Sequence, residues 1–94
     1  MSTPLSQDVS NWIVNWFSSR GKVHCSVNEA LPLDYLQSGL LASLEIVELV
    51  TEIEERFGIQ FSEADMQDPR FSTIGGIADL VVAVANQVGK VGTT

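Results

Sequence analysis

The residues that most often carry chemistry are scarce in this 94-residue chain, which has one cysteine and one histidine. Because Cys25 is alone, no internal disulfide can form, and a secreted disulfide scaffold is excluded. His24 stands next to Cys25, but neighbouring side chains on an extended segment point to opposite sides, so we expect no nucleophile and base pair there. Neither tetrahedral metal spacing nor a glycine-rich phosphate loop is present. We therefore expect no catalytic residues, no metal site and no enzyme.

Basic residues are few as well: the chain has five Lys and Arg against twelve Asp and Glu, and its net charge is −7. Such a charge repels a phosphate backbone, so nucleic acid is not an expected partner, whereas proteins with basic patches are. No stretch approaches the ~20 apolar residues that span a bilayer. Pro4, Gln7 and Asp8 interrupt any signal-like run at the amino terminus. These absences predict a soluble, cytoplasmic protein without a membrane partner.

Apolar residues, in contrast, make up 45% of the chain, and two of its residues are tryptophans. That content is enough for one modest core, so we expect residues 1–94 to form a single domain. We also expect a monomer. Helical spacing of apolar residues begins after Thr3 and Pro4, a cap and first-turn pair, and ends at Gly21. The apolar stripe of this first helix comprises Leu5, Val9, Trp12, Ile13 and Trp16. We expect both tryptophans to pack in the core.

The segment from Lys22 to Ala42 shows no periodic pattern, and we predict a long ordered loop. A strand over Val23 to Val27 is rejected because no second segment offers its backbone a partner. Pro32 and Gly39 mark bends in the loop. The apolar residues expected to anchor it to the core are Val27, Leu31, Leu33, Tyr35 and Leu36.

A helical pattern begins at Ser43 and runs to Phe57. At ~100° per residue, one arc of this helix is apolar and faces the core. That arc comprises Ile46, Leu49, Val50, Ile53 and Phe57, and the opposite side carries Glu45, Glu48, Glu52 and Glu55. Leu44 and Val47 lie outside the core arc, beside the glutamates. These two apolar residues have no evident packing role.

After Gly58 ends this helix, a short capped helix is predicted from Ser62 and is terminated by Pro69. The last helix begins near Ser72 or Thr73, and we expect Gly89 to end it. Its apolar arc comprises Ile74, Ile77, Ala78, Val81, Val84, Ala85 and Val88. The sequence thus predicts an all-α fold, a small four-helix bundle of three main helices and one short helix. The bundle should be ordered over about residues 3–88, with 89–94 as a flexible tail.

Residues 39–44 read Gly-Leu-Leu-Ala-Ser-Leu and lead into the Glu- and Leu-rich helix that closes with Glu-Glu-Arg-Phe-Gly-Ile. This stretch closely resembles the acyl and peptidyl carrier protein family, whose motif is G-x-D-S-L or G-L-L-D-S-L before such a helix. The Phe-Ser-Thr-Ile segment at residues 71–74 is similar to the opening of that family's last helix. Within the family, the chain looks more like D-alanyl or aminoacyl carriers than fatty-acid carriers.

The resemblance implies that Ser43 receives a 4′-phosphopantetheine arm from coenzyme A, and that the thiol of the arm holds an acyl or aminoacyl group as a thioester. Partners would be a phosphopantetheinyl transferase, an acyl- or aminoacyl-adenylating ligase, and a downstream acyltransferase or synthase. The partner-binding residues it implies are Ala42, Leu44, Glu45, Val47 and Glu48.

Ala42 departs from the family pattern, which has aspartate before the serine. That aspartate helps the transferase to engage and also suits a helix N-cap, where alanine costs ~0.5–2 kcal/mol. The departure motivates an alternative, an unmodified helical interaction module that kept the fold and lost the arm. A small hydrolase using His24 and Cys25 is a third, weaker alternative.

Overall fold

In the computed structural model, residues 5–91 are described, with side chains over residues 5–86. Five α-helices follow one another: α1 (Ser6–Ser19), α2 (Val27–Ala30), α3 (Ser43–Phe57), α4 (Glu63–Gln67) and α5 (Ile74–Val91), with a 3₁₀ helix (Pro69–Ser72) between the last two. Over residues 5–91 no strand forms, and one isolated bridge joins Asp34 to Thr73. The predicted all-α bundle with three main helices is confirmed.

The core lies where α1, α3 and α5 meet, and α1 packs most extensively against α5. Its largest fully buried side chains are Val9, Ile13, Phe17, Tyr35, Leu49, Ile53, Ile74, Ile77, Leu80 and Val81. Aromatic rings connect the elements in edge-to-face contacts, with Phe17 5.5 Å from Tyr35 and Phe61 5.9 Å from Phe71 between ring centroids. Aromatic pairs in this arrangement add to the burial of their apolar area.

Helix α1 differs from its predicted stripe at both ends. Leu5 is the N-cap residue and is exposed, and Phe17, outside the predicted stripe, is fully buried. Trp16 is buried as predicted, whereas Trp12 is half-buried and packs edge-on against Phe57. The helix ends at Ser19, and Gly21 follows with a positive φ of 70°. The predicted cap pair at residues 3 and 4 lies outside the described residues.

The segment between α1 and α3 is not a purely irregular loop, because it contains α2. Ser26 and Glu29 form a capping box: the Ser26 side chain accepts from the Glu29 amide, and the Glu29 carboxylate accepts from the Ser26 amide. Reciprocal capping stabilises even a single helical turn. Of the predicted loop anchors, Tyr35 is buried and Val27 and Leu31 pack partly buried against the core, whereas the side chains of Leu33 and Leu36 are exposed.

The loop is fixed to the amino end of α5. The carbonyls of Leu33 and Leu31 accept hydrogen bonds from the amides of Ile74 and Gly75 at 3.1 and 2.8 Å. These amides have no partner inside a helix, so the loop satisfies donors that would otherwise be orphaned. The buried Tyr35 hydroxyl donates to the Phe71 carbonyl, and burial raises the pKa of this phenol, with a further contribution from Asp34.

Gly76 is required by a close approach of the backbone. A Cβ at position 76 would lie 2.1 Å from the Arg70 carbonyl oxygen and 2.6 Å from the Thr73 hydroxyl, whereas one at Gly75 would lie 3.1 Å from the Leu31 oxygen. The Thr73 hydroxyl also accepts from the Gly76 amide at 2.9 Å. The two glycines that weaken the first turn of α5 therefore let the 3₁₀ helix and the loop approach it.

The carboxyl end of α5 corrects the prediction that Gly89 ends the helix, since α5 continues to Val91. Glycine ends a helix when it takes the left-handed conformation, and within a helix it costs only about 1 kcal/mol relative to alanine. The short helix after Ser62 agrees with its prediction, and Gly58 ends α3 with a φ of 65°. Residues 92–94 lie outside the described part, so a flexible tail stays a prediction.

We predict that Gly76→Ala destabilises the protein by roughly 1–3 kcal/mol or more, because the added methyl group has no space beside the Arg70 carbonyl. Urea denaturation followed by circular dichroism measures the change. Gly75→Ala is the matched control in the same turn and should cost less. If Gly76→Ala instead gained the ~1 kcal/mol that helix propensity alone predicts, the close approach would be wrong.

Candidate functional site

Ser43 is the first residue of α3 and its side chain is exposed. The preceding residue, Ala42, is extended at φ −74° and ψ 163°, so the chain turns sharply into the helix at this point. Leu41, one residue earlier, is buried at 3% exposure and fixes the approach to the core. The serine hydroxyl therefore lies exposed at the start of the helix. The buried Leu41 side chain in the preceding loop fixes where that start lies.

The turn leading to Ser43 is held by side-chain hydrogen bonds. One Asp34 carboxylate oxygen accepts from the amides of Leu36 and Gln37 at 3.1 and 2.7 Å, and the Ser38 hydroxyl donates to the Asp34 carbonyl. Asp commonly caps turns in this way. Gly39 follows with a φ of 76°, a conformation in which a side chain is strained. The loop therefore enters α3 along one defined path.

Glu45 stabilises the start of α3 in place of a capping side chain. Ala42 has no side-chain acceptor, but the Glu45 carboxylate folds back and accepts from the Ala42 amide at 2.9 Å. That hydrogen bond holds the pKa of Glu45 below its ordinary value, and the nearby Lys22 lowers it further. The amides of Ser43, Leu44 and Glu45 have no hydrogen-bond acceptor within the described residues. The hydrogen bond between Glu45 and the Ala42 amide, one of the two that make up a capping box, thus offsets the lack of an aspartate at position 42.

The exposed apolar residues of α3 lie where the sequence predicts them. Leu49 and Ile53 are completely buried, whereas Leu44 is 72% exposed and Val47 is 59% exposed. Both exposed residues fall within the first turn and a half of the helix, beside Ser43. The structure thus brings together the serine and two apolar side chains that do not contribute to the core.

The acidic side of α3 is partly covered by two cations that follow the end of α1, which the sequence did not predict. Arg20 lies 3.2 Å from Glu52 and 3.8 Å from Glu48, and Lys22 lies 3.4 Å from Glu45. Both cations flank the turn at Gly21, but no local spacing connects that turn to a helix more than twenty residues away. The only available signal was that basic residues are rare and two of them occur together.

The remaining predicted candidates do not form a site. His24 and Cys25 are both exposed, and neither takes part in a hydrogen bond with the described residues. Across the described residues no group of three or more His, Cys, Asp and Glu side chains is placed to hold a metal. Within the same part of the chain, no helix combines the length and apolar character needed to span a membrane.

The family model for a phosphopantetheine attachment site matches residues 34–81, about half of the chain. The matched region covers the turn at Asp34, the whole of α3 with Ser43, α4 and the first part of α5. The chain therefore belongs to the phosphopantetheine attachment-site family, whose members carry 4′-phosphopantetheine covalently on a serine. No curated protein and no solved structure matches the chain.

The start of α3 fits such a group. A phosphodiester on an exposed serine at the first helical position would lie near free amides and the positive end of the helix macrodipole, where an anion is favoured by about 0.3–1 kcal/mol. Ser43 has that position and exposure, and its free neighbours are the amides of Leu44 and Glu45. The carboxylate of Glu45 is already turned towards the Ala42 amide and Lys22.

We predict that Glu45→Gln lowers stability at neutral pH by an amount that disappears in acid. The folded pKa of Glu45 is lowered, so the stability contributed by its charge is fully present above the ordinary pKa of a glutamate and is lost as pH falls through the folded value. Urea midpoints of wild type and variant between pH 7 and pH 3 measure this. Glu55→Gln is the matched control, and a pH-independent difference at Glu45 would contradict the prediction.

Proposed function

We propose that the protein is an acyl or aminoacyl carrier and that Ser43 is the residue that receives 4′-phosphopantetheine from coenzyme A. The observation that carries the proposal is the exposed Ser43 hydroxyl at the first position of α3, inside the region that matches the family. When attached, the arm supplies a thiol that holds the cargo as a thioester. The protein itself contributes the attachment point and the surface around it, and no catalysis.

The partner-binding surface in this proposal, which we call the docking face, comprises Ala42, Leu44, Glu45, Val47 and Glu48. Exposure of Leu44 and Val47 beside Ser43 supports it, because apolar side chains outside the core are available for contact with another protein. The glutamates add negative charge that attracts basic surfaces and speeds encounter. Small apolar contacts with charged surroundings suit brief, repeated docking.

The partners that this function requires are a phosphopantetheinyl transferase, a ligase that adenylates the acyl or aminoacyl cargo, and a downstream acyltransferase or synthase. The transferase must reach Ser43 itself, and the other two must reach the thiol of the arm attached there, so each is expected to contact the docking face. We propose that the protein acts as a monomer in the cytoplasm. The likeness of residues 38–41 and 71–73 to D-alanyl and aminoacyl carriers favours an amino acid as cargo.

Incubation with coenzyme A and a broad-specificity transferase should raise the mass of the protein by one phosphopantetheine unit, as measured by intact-protein mass spectrometry. Ser43→Ala should abolish the increase while circular dichroism stays unchanged, since the Ser43 side chain makes no packing contact in the core. Ser62→Ala is the control, because Ser62 also lies at a helix start and is exposed. An unchanged wild-type mass would favour the unmodified interaction module instead.

We predict that Val47→Glu and Ile53→Ala separate docking from stability. Val47→Glu should reduce kcat/KM for loading by the transferase and leave the melting temperature nearly unchanged, because Val47 is exposed. Ile53→Ala should cost about 2–5 kcal/mol of stability, because Ile53 is fully buried. Thermal denaturation and loading kinetics measure both effects. Equal losses of stability would contradict the division of α3 into core and docking faces.

A further inference from the structure

Arg20 is held against α3 by contacts on three sides. Its guanidinium lies 4.1 Å from the centroid of the Trp16 ring, and one of its nitrogens is 3.2 Å from a Glu52 carboxylate oxygen. The other terminal nitrogen is 3.8 Å from Glu48. The same Glu52 oxygen accepts from the Trp16 indole N–H at 3.1 Å. An aromatic face and two carboxylates thus define where this cation sits.

Lys22 makes a further ion pair, with a glutamate nearer to Ser43 in the helix. Its ammonium lies 3.4 Å from the Glu45 carboxylate, the group that also accepts from the Ala42 amide. Together, Arg20 and Lys22 place two positive charges on three carboxylates of α3. Only one net negative charge remains in this cluster. The field that would attract a basic partner is reduced to that extent.

These ion pairs are partly exposed to solvent. The Arg20, Glu48 and Glu52 side chains keep 32%, 46% and 43% of their surface exposed. Exposed pairs of this kind contribute about 0–1 kcal/mol each to stability, so breaking one of them costs little. The free energy of each pair is comparable to that of a single charged contact at the rim of a protein interface. A partner's own lysine or arginine can therefore compete for the same carboxylates.

We propose that Arg20 and Lys22 are an intramolecular cover of the docking face, which a basic partner displaces when it binds. This inference rests on the proposed function in that it assigns a regulatory contact to the same face. The chain's own cations occupy Glu45 and Glu48, so docking exchanges internal ion pairs for intermolecular ones. The cover lowers affinity for basic surfaces in general and favours partners whose apolar contacts with Leu44 and Val47 offset the exchange.

An octalysine peptide, titrated into the ¹⁵N-labelled protein, tests the cover without any modification of Ser43. The reporter is the NMR signal of the Trp16 indole N–H, which donates to Glu52. A Trp12→Phe variant identifies which indole signal belongs to Trp16. Arg20→Gln should bind the peptide about twofold to fivefold more tightly than Arg70→Gln. Each variant removes one positive charge, and Arg70 pairs with Asp68 instead, away from α3. The wild-type Trp16 signal should shift as Arg20 is displaced.

Equal affinity of the two variants for octalysine would overturn the proposal, as would binding that leaves the Trp16 signal of the wild type unchanged. Failure of Arg20→Gln to bind the peptide at all would overturn it too. If Arg20→Gln does not fold, Lys22→Gln takes its place in the same comparison. In that comparison the peptide should shift the amide signal of Glu45 most. The peptide needs no phosphopantetheine, so its binding does not depend on modification of Ser43. A missing mass change would instead contradict the proposed function.

Discussion

The attachment of the long loop to the amino end of α5 is the constraint on which the rest of the structure depends. Two carbonyls of the loop accept from the first amides of α5, and the buried Tyr35 hydroxyl donates to the Phe71 carbonyl. Without these bonds, free donors of the helix and a buried phenol would lack partners, at a cost of about 1–3 kcal/mol each. The bonds fix the path of the chain before α3, and hence the place where Ser43 is displayed.

Helix α3 combines three surfaces that use different physical interactions. Leu49 and Ile53 stabilise the fold by burial, Leu44 and Val47 remain exposed beside Ser43, and the glutamates form a charged side. A helix can present all three because its side chains repeat every 3.6 residues. Stability and the proposed partner contact therefore depend on different residues of one helix, and Arg20 and Lys22 adjust the charged surface from the neighbouring element.

Most of the local features of the fold were readable from the sequence. Periodicity and turn chemistry predicted α3 from Ser43, its end at Gly58 and the short helix after Ser62, and all three are present. Leu44 and Val47 lie outside the predicted core arc, and both are exposed in the structure. These predictions succeed because helical spacing and caps depend on residues within a few positions of one another.

Contacts between separate elements, and one very short helix, were not readable. The ion pairs of Arg20 with Glu48 and Glu52 join positions about thirty residues apart. The role of Gly76 depends on the nearby Arg70 carbonyl, a backbone group that has no sequence signature. Helix α2 was missed because four residues are too few to show a period, although the Ser26 and Glu29 spacing of a capping box was available.

The most direct test of Ser43 as the attachment residue is to locate the modification in the unaltered protein. After loading with coenzyme A and a transferase, proteolysis and tandem mass spectrometry assign the added group to a residue. We predict that the whole of the phosphopantetheine is on Ser43, because that hydroxyl is exposed at the start of α3 within the family match. Modification of any other serine, or a protein that stays unmodified, would contradict this assignment.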